Sequence, residues 1–294
     1  MANPKQKPDV YTQITNQIIA AIEKGAGEFQ MPWHRTGRAT MSPVNIDTGN
    51  AYRGINIVSL WAAAEIRGFC IGTWGTYRQW QNKGCQVRKG EKASLVIFYK
   101  EFEADDADEG EDKPRKRLMA RASYVFNAEQ VDGYEPAPLP VVENPVSPIA
   151  QADAFIAASG ADIRHGGDRA FYRPSDDIIQ MPNREAFHGS ATSTPTESYY
   201  STLLHELVHF SGHSSRCDRL GSAFDKDEYA REELVAEIGA AFLCAELGVT
   251  LDPRPDHAAY IEHWLRILKE DNKAIFRASS AAAKAVEFLK GLQP

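Results

Sequence analysis

Apolar residues recur at three- and four-residue steps over residues 10 to 24 (Val10, Ile14, Ile18, Ile19, Ile22) and stop at Lys24-Gly25, which predicts an amphipathic helix. A loop with Pro32, Trp33, His34, Arg35 and Arg38 follows. Residues 55 to 67 predict a second helix closed by Gly68, and Thr76 to Lys83 a third closed by Gly84. Ser94 to Tyr99 and Ala122 to Phe126 are β-rich and read as paired strands. Between them, Glu103 to Arg117 is an acidic block followed by Lys113, Arg115, Lys116 and Arg117, with no large apolar anchor, and is expected to form a mobile hairpin tip.

From Val131 to Ile149 five prolines interrupt the chain and periodicity is lost, the composition of a semi-extended linker. This sets the expected domains as residues 1–130 and 150–294, joined by 131–149. The second half opens with a short helix ending at Gly160. Strand-like segments follow at Ala161 to Arg164, Ala170 to Arg173 and Asp177 to Met181, then long helices. There is no internal repeat, and the order of elements is that of an α+β protein.

A chain of 294 residues is long enough for two cores, and 43% hydrophobic with 25% charged residues is ordinary for a globular protein. No apolar run approaches the roughly 18 to 20 residues of a membrane helix, and no apolar core follows Lys5 and Lys7, so a cytoplasmic protein without membrane contact is expected. Cys70, Cys85, Cys217 and Cys244 are scattered, which fits reduced thiols. The net charge of −7 conceals an asymmetry: the first 100 residues hold 13 Lys and Arg against 6 Asp and Glu, a balance of +7 that leaves −14 for the rest. A basic first third suggests contact with a polyanion.

The sharpest chemical signal is His205-Glu206-Leu207-Val208-His209. A random order of this composition gives on the order of 0.02 such matches, so the spacing is treated as a signal. Thr194, Pro195, Glu197 and Gly212 punctuate a helix around it. Residues four apart share a helix face, so both imidazoles can reach one ion while Glu206 lies beside the water that ion binds. Zinc with three protein ligands lowers the pKa of its water towards about 7, and a carboxylate can then act as general base, here Glu206. His205 and His209 need a third ligand. The extended pattern with a histidine six residues on is excluded by Ser215. Tyr229 to Leu247 predicts a second helix in which Glu233 and Glu237 share a face, and Glu237 sits in an apolar stretch that demands a partner. In the Glu-zincin pattern the ligand is followed four residues later by an acid that orients a histidine. This assigns Glu233 as ligand and Glu237 as the orienting acid, with Glu232 or Glu237 as ligand left open. His213 lies past the helix end and, like His188, His257 and His263, is read as structural. The expected ion is Zn2+, with another divalent metal such as Mn2+ not excluded. Asp177 to Met181 is the candidate edge strand for an extended peptide beside the cleft.

In the basic third, cations alternate with large aromatics: Trp33, Arg35, Arg38, Tyr52, Arg53, Trp74, Tyr77, Arg78, Trp80, Lys83, Arg88, Lys89 and Lys92. Cations that track phosphates and rings that stack on bases are the means of binding single-stranded nucleic acid without sequence preference. The same aromatics could instead be core residues.

The segments Asn50-Ala-Tyr-Arg-Gly-Ile-Asn56, Trp74-Gly-Thr-Tyr-Arg-Gln-Trp80 and Val87-Arg-Lys-Gly-Glu-Lys92 resemble the N-terminal domain of the plasmid antirestriction family ArdC, also seen in some plasmid primases. The run from Tyr200 to His213 and the helix from Glu232 to Gly248 resemble the zincin-like domain of the same family. The resemblance implies an N-terminal α+β single-stranded-DNA-binding domain followed by a C-terminal zincin-like (Glu-zincin) metallopeptidase domain. It also implies a role in protecting incoming plasmid DNA from host restriction during conjugation. Phe210 stands where many relatives are expected to have tryptophan, and the acidic block from Glu103 to Asp112 is read as peculiar to this chain. Two functions follow as expectations. One is a zinc peptidase delivered to single-stranded DNA, acting on an unidentified protein that could belong to the restriction system. The other is a protective DNA-binding protein whose zincin half is a scaffold with a structural metal. A metal-dependent nuclease fits poorly, because such sites favour clustered carboxylates around magnesium.

Overall fold

The computed structural model describes residues 9–25, 42–103, 116–135, 147–188, 193–221, 225–249 and 257–294. The first half comprises α1 (Val10–Gly25), β1 (Val44–Asn45), α2 (Ile55–Arg67), β2 (Thr73–Gly75), α3 (Tyr77–Asn82), β3 (Gln86–Val87), β4 (Ser94–Glu103), β5 (Lys116–Asn127) and β6 (Val131–Asp132). The second comprises α4 (Ser147–Ala158), β7 (Asp162–His165), β8 (Phe171–Arg173), β9 (Ile178–Met181), α5 (Pro195–Ser211), α6 (Lys226–Leu247), α7 (His257–Glu270) and α8 (Ala274–Gly291). The architecture is two-domain α+β, as the order of elements predicts.

In the first half the strands lie in the order β1-β2-β5-β4, and β3 pairs separately with β6. Ile14, Ile18 and Ile22 are fully buried on the inner face of α1, as the periodicity requires. The β4–β5 ladder runs from Ser94↔Val125 to Glu103↔Lys116, longer than the two apolar runs that predict it. Backbone pairing continues beyond the point where side chains cease to be apolar, so the hydrophobic pattern underestimates strand length. Of the expected hairpin tip, residues 104–115 lie outside the described residues. The outer edge of β4 is covered by α2, because the Asn56 amide donates to Ile97 O and accepts from Ile97 N, both at 2.7 Å. Ser59 Oγ donates to Leu95 O at 2.9 Å. A side-chain amide thus occupies the place of a neighbouring strand, which blocks edge-to-edge association.

In the second half the sheet order is β7-β9-β8, with β7 parallel and β8 antiparallel to β9. This corrects the expectation for Asp177 to Met181. The strand is central, its ladder groups are used on both sides, and the free edges belong to β7 and β8. Helices α5 and α6 pack closely at Gly239, where a Cβ would stand 2.9 Å from both methyl carbons of Val208. Gly239→Ala is therefore expected to cost about 1–3 kcal/mol by overpacking, measured by urea denaturation. It should also weaken metal binding, since Val208 immediately precedes His209.

The two halves are not loosely tethered. Tyr11 and Phe276 meet edge to face with ring centroids 4.8 Å apart, and Trp61 and Phe242 meet at 5.9 Å. Thr15 Oγ1 donates to Asn272 O at 2.8 Å, and Asn272 Nδ2 donates to Thr12 Oγ1 at 2.8 Å. Residues of α1 and α2 share one continuous apolar core with α5 to α8. Within the proline-rich stretch, Val131–Asp132 is a strand of the first half and Ser147 begins α4. No helix among the described residues is long and apolar enough to cross a membrane.

Candidate metal centre

Helix α5 starts where its capping signals place it. The Thr194 hydroxyl accepts from Glu197 N at 3.2 Å, and the Glu197 carboxylate accepts from Thr194 N at 2.8 Å. Helix α6 begins at a second capping box, with Asp225 accepting from Asp227 N and Glu228 N. It ends at Gly248, whose φ of 68° is the left-handed conformation that glycine adopts without strain. The two helices pack side by side and bring His205, His209 and Glu233 together, all buried. One donor atom from each lies within 4.8 Å of the others.

His205 Nε2 and His209 Nε2 are 3.2 Å apart. Glu233 Oε2 is 3.4 Å from the first and Glu233 Oε1 is 3.4 Å from the second. Two nitrogens at about 2.0–2.1 Å from a tetrahedral zinc stand about 3.3 Å apart, so the donor spacing suits such an ion. The far ring nitrogens face carboxylates: His205 Nδ1 is 3.5 Å from Glu237 and His209 Nδ1 is 3.1 Å from Glu232. A carboxylate behind each ring favours a proton on Nδ1, which in a metal-bound state would turn the Nε2 lone pairs to a common point. Burial alone would depress the His209 pKa, but the Glu232 and Glu233 carboxylates outweigh it and push the imidazole up to about 10. Burial would likewise raise Glu233, yet the two imidazoles hold it well below the usual carboxylate range. A cage that favours a proton so strongly favours a divalent cation for the same electrostatic reason.

Glu232, which the sequence leaves open as a ligand, lies behind His209 instead. Arg219 grips it with Nε to Oε2 at 2.8 Å and Nη2 to Oε1 at 2.9 Å, and also donates to Val208 O at 2.7 Å. Burial opposes the charge on Glu232, but the contacts from His209 and Arg219 lower its pKa. Neither Arg219 nor the orienting role of Glu232 is legible in the sequence. No local pattern marks an arginine in the turn between two helices as the partner of a carboxylate 13 residues on. His213 lies beyond the end of α5 with Nδ1 against Ser215, and His263 bonds Asp227, in keeping with their structural readings.

The cluster opens into a cavity of about 710 Å3. Glu206, buried, lines it together with the two histidines, Glu233, and Phe171 and Tyr172 of β8. The free edge beside this cleft is therefore that of β8. Tyr172 donates to Asp177, and Arg216 binds both while its guanidinium lies 3.6 Å from the centre of the Phe210 ring. The aromatic at Phe210 thus anchors the arginine that braces the cleft wall.

The expected nucleic-acid residues fall into three groups. Trp33, Arg35 and Arg38 lie outside the described residues. Tyr52, Trp74 and Trp80 are buried, with 6%, 1% and 0% of their surface exposed, which corrects the expectation that their faces stack on bases. Trp80 donates its indole N–H to Phe126 O at 3.1 Å, and Trp74 meets Phe69 edge to face, so these rings hold the sheet together. Tyr77, Arg53, Arg78, Lys83, Arg88, Lys89 and Lys92 are exposed. Arg88 is also engaged within the fold, by Glu91, Asp132 and the carbonyl of Glu129.

The fold and the site together define a two-domain protein whose C-terminal part is zincin-like and holds a His/His/Glu cluster capable of binding a divalent metal. Residues 8–126 match the N-terminal domain of anti-restriction factor ArdC, and residues 150–281 match the zincin-like metallopeptidase family. The crystal structure of the antirestriction ArdC protein from plasmid R388 is 40% identical, with a TM-score of 0.77 over 97% of this chain and 98% of that one in its metal-free form. Its Mn(II)-bound form gives a TM-score of 0.75 at the same identity and coverage. Protein y4eC of Sinorhizobium fredii is 46% identical over 99% of this chain and 94% of its own length. DNA primase TraC of Escherichia coli is 38% identical over 96% of this chain, which spans 27% of that larger protein. The chain belongs to the ArdC antirestriction family.

Proposed function

We propose that this chain is a cytoplasmic antirestriction protein that binds single-stranded DNA without sequence preference through its N-terminal half. In this reading it protects incoming plasmid DNA from host restriction during conjugation, and its zincin-like half is a scaffold built around a divalent metal. The observation that carries it is the 40% identity to an antirestriction ArdC protein across 97% of the chain. Exposed Arg53, Arg78, Lys83, Lys89 and Lys92 suit a phosphate backbone. Two imidazoles and one carboxylate suit Zn2+, and the Mn(II) bound by the R388 relative makes that ion the other choice. His205, His209 and Glu233 would hold the ion, with Glu237 and Glu232 orienting the two rings. A bound divalent ion supplies the positive charge that ties α5 to α6 and, with one position open, lowers the pKa of a water towards about 7.

A peptidase is the second reading, favoured by one observation: Glu206 is buried in the cleft wall beside the three candidate ligands. There it would accept a proton from the attacking water and pass it to the leaving amine, with a protein of the restriction system as substrate. One assay separates the two. In plasmid transfer across a restricting barrier, Glu206→Gln is expected to retain protection, while the double reversal Lys83→Glu with Lys89→Glu removes most of it. Each phosphate that the variant no longer neutralises should also lower the slope of log affinity against log salt by about 0.7. Protection abolished in Glu206→Gln, with metal content and stability intact, would give the site to peptide hydrolysis.

A further inference from the structure

The N-terminal sheet carries a row of aromatic rings that the core leaves open. Tyr124 and Phe126 are alternate residues of β5, so they share one face about 6.7 Å apart. Tyr77, the first residue of α3, continues the row with its ring 6.4 Å from that of Phe126, edge to face. The two outer rings are exposed, Tyr124 at 58% and Tyr77 at 44%, while Phe126 is half-buried against the small cluster formed by Trp80, Cys85, Val87, Ala128 and Val131. That cluster is a rigid floor, and Gln86 fixes the outer end by donating to the Tyr77 hydroxyl at 3.0 Å. Phe98, also exposed, pairs with Arg121 on the other face of the ladder and is not part of the row.

Folding gains nothing from leaving two large rings in water, and their surroundings say what could cover them. Arg78 and Lys83 on and beside α3, and Lys89 just beyond β3, are exposed. Two of the nearby acids, Glu129 and Glu91, are engaged inside the fold, and Asp132, though exposed, is paired with Arg88. Glu129 accepts from the backbone N–H groups of Cys70 and Ile71, and Glu91 accepts from Gln130. What remains towards solvent is a row of aromatic rings, Tyr77 and Phe126 inclined at 69° to each other, with a cationic rim, which suits unpaired bases on an anionic backbone better than an apolar protein surface.

We propose that Tyr77, Phe126 and Tyr124 are a stacking platform for successive bases of single-stranded DNA, with Arg78 and Lys83 along its phosphates. The inference rests on the reading that the N-terminal half binds single-stranded DNA, and it names the surface. The Tyr77 and Phe126 rings are 6.4 Å apart, about twice the 3.4 Å per-nucleotide rise of a stacked strand, so bases are splayed onto separate rings rather than onto one another. A π-face is common to every base, so the platform has no sequence preference.

The test is the anisotropy of a labelled oligothymidylate titrated with the full chain at several salt concentrations. Tyr124→Ala and Tyr77→Ala are each expected to weaken binding about tenfold with the salt slope unchanged. Tyr124→Phe, which keeps the ring, should bind as the parent does. In a parallel measurement, an oligonucleotide carrying 5-iodouracil is photocrosslinked to the unaltered protein and is expected to mark Tyr77, Phe126 or Tyr124. Parent-like binding by both alanine variants, or crosslinks confined to other segments, overturns the platform and leaves DNA binding in place. Absence of binding by the unaltered protein overturns the platform together with the reading on which it rests. A chain that self-associates and becomes monomeric on Tyr124→Ala, with DNA affinity unchanged, assigns the strip to a second copy and likewise overturns it.

Discussion

Glu233→Gln is expected to abolish the stabilisation that a divalent ion gives this protein. In the unaltered chain, Zn2+ or Mn2+ at about 100 times its dissociation constant should raise the unfolding free energy by about 2.7 kcal/mol. For a chain of 294 residues that corresponds to a rise in melting temperature of roughly 4 °C. The glutamine keeps the shape of the side chain but replaces a charged donor oxygen by an amide, between imidazoles that are 3.4 Å from each carboxylate oxygen. Metal affinity should fall by more than about 100-fold, beyond the 10- to 100-fold typical of losing an orienting group. Each variant is compared with its own metal-free form, so any change in baseline stability cancels. A metal-induced shift that survives Glu233→Gln and disappears in Glu232→Gln would transfer the ligand role to Glu232.

Much of the second half is legible in the sequence because its signals are local. Thr194, Pro195 and Glu197 start α5, and Gly248 ends α6. The four-residue spacing of His205 and His209, and of Glu233 and Glu237, becomes a shared helix face by geometry alone. What the sequence hides depends on contacts between distant segments. The position of Ile178–Met181 as a central strand follows from the order β7-β9-β8, which no property of the strand itself records. Trp74 is buried in the main core and Trp80 in the small cluster with Val87 and Val131, so their alternation with basic residues suggests a binding face that only Tyr77, among the aromatics of that run within the described residues, presents. The proline-rich stretch marks a change of composition, whereas the contacts of α1 and α2 with α7 and α8 make one packed body of the two halves.

The Arg219–Glu232 pair shows how such a distant contact governs the site. Arg219 makes a two-pronged contact with Glu232, donates to the carbonyl of Val208, and so couples the turn after α5 to the carboxylate that orients His209. Glu232 is 6% exposed. Removing the guanidinium leaves a buried carboxylate with only the imidazole as partner and takes one donor from the Val208 carbonyl, which keeps the Ser211 hydroxyl. Arg219→Ala is therefore expected to cost about 3 kcal/mol, near the low end for breaking a buried pair because His209 remains. The melting temperature should fall by roughly 5 °C. Metal affinity should also drop about 10- to 100-fold as the ring of His209 loses its fixed orientation. The pH dependence has a definite sign. In the unaltered chain the folded pKa of Glu232 is depressed, so its contribution to stability is present above the ordinary carboxylate pKa of about 4.3 and is lost as pH falls through the lower folded value. Without Arg219 the depression shrinks and burial acts against the charge, so the stability gap between the two proteins should narrow as pH falls below about 4. Arg219→Lys should recover part of the stability but little of the metal affinity, since an ammonium meets one carboxylate oxygen and cannot hold both in the plane that aims the other side of the group at His209. Thermal melts from about pH 3 to 8 with and without metal measure all of these quantities, and parent-like stability and metal affinity in Arg219→Ala would remove the arginine from the site.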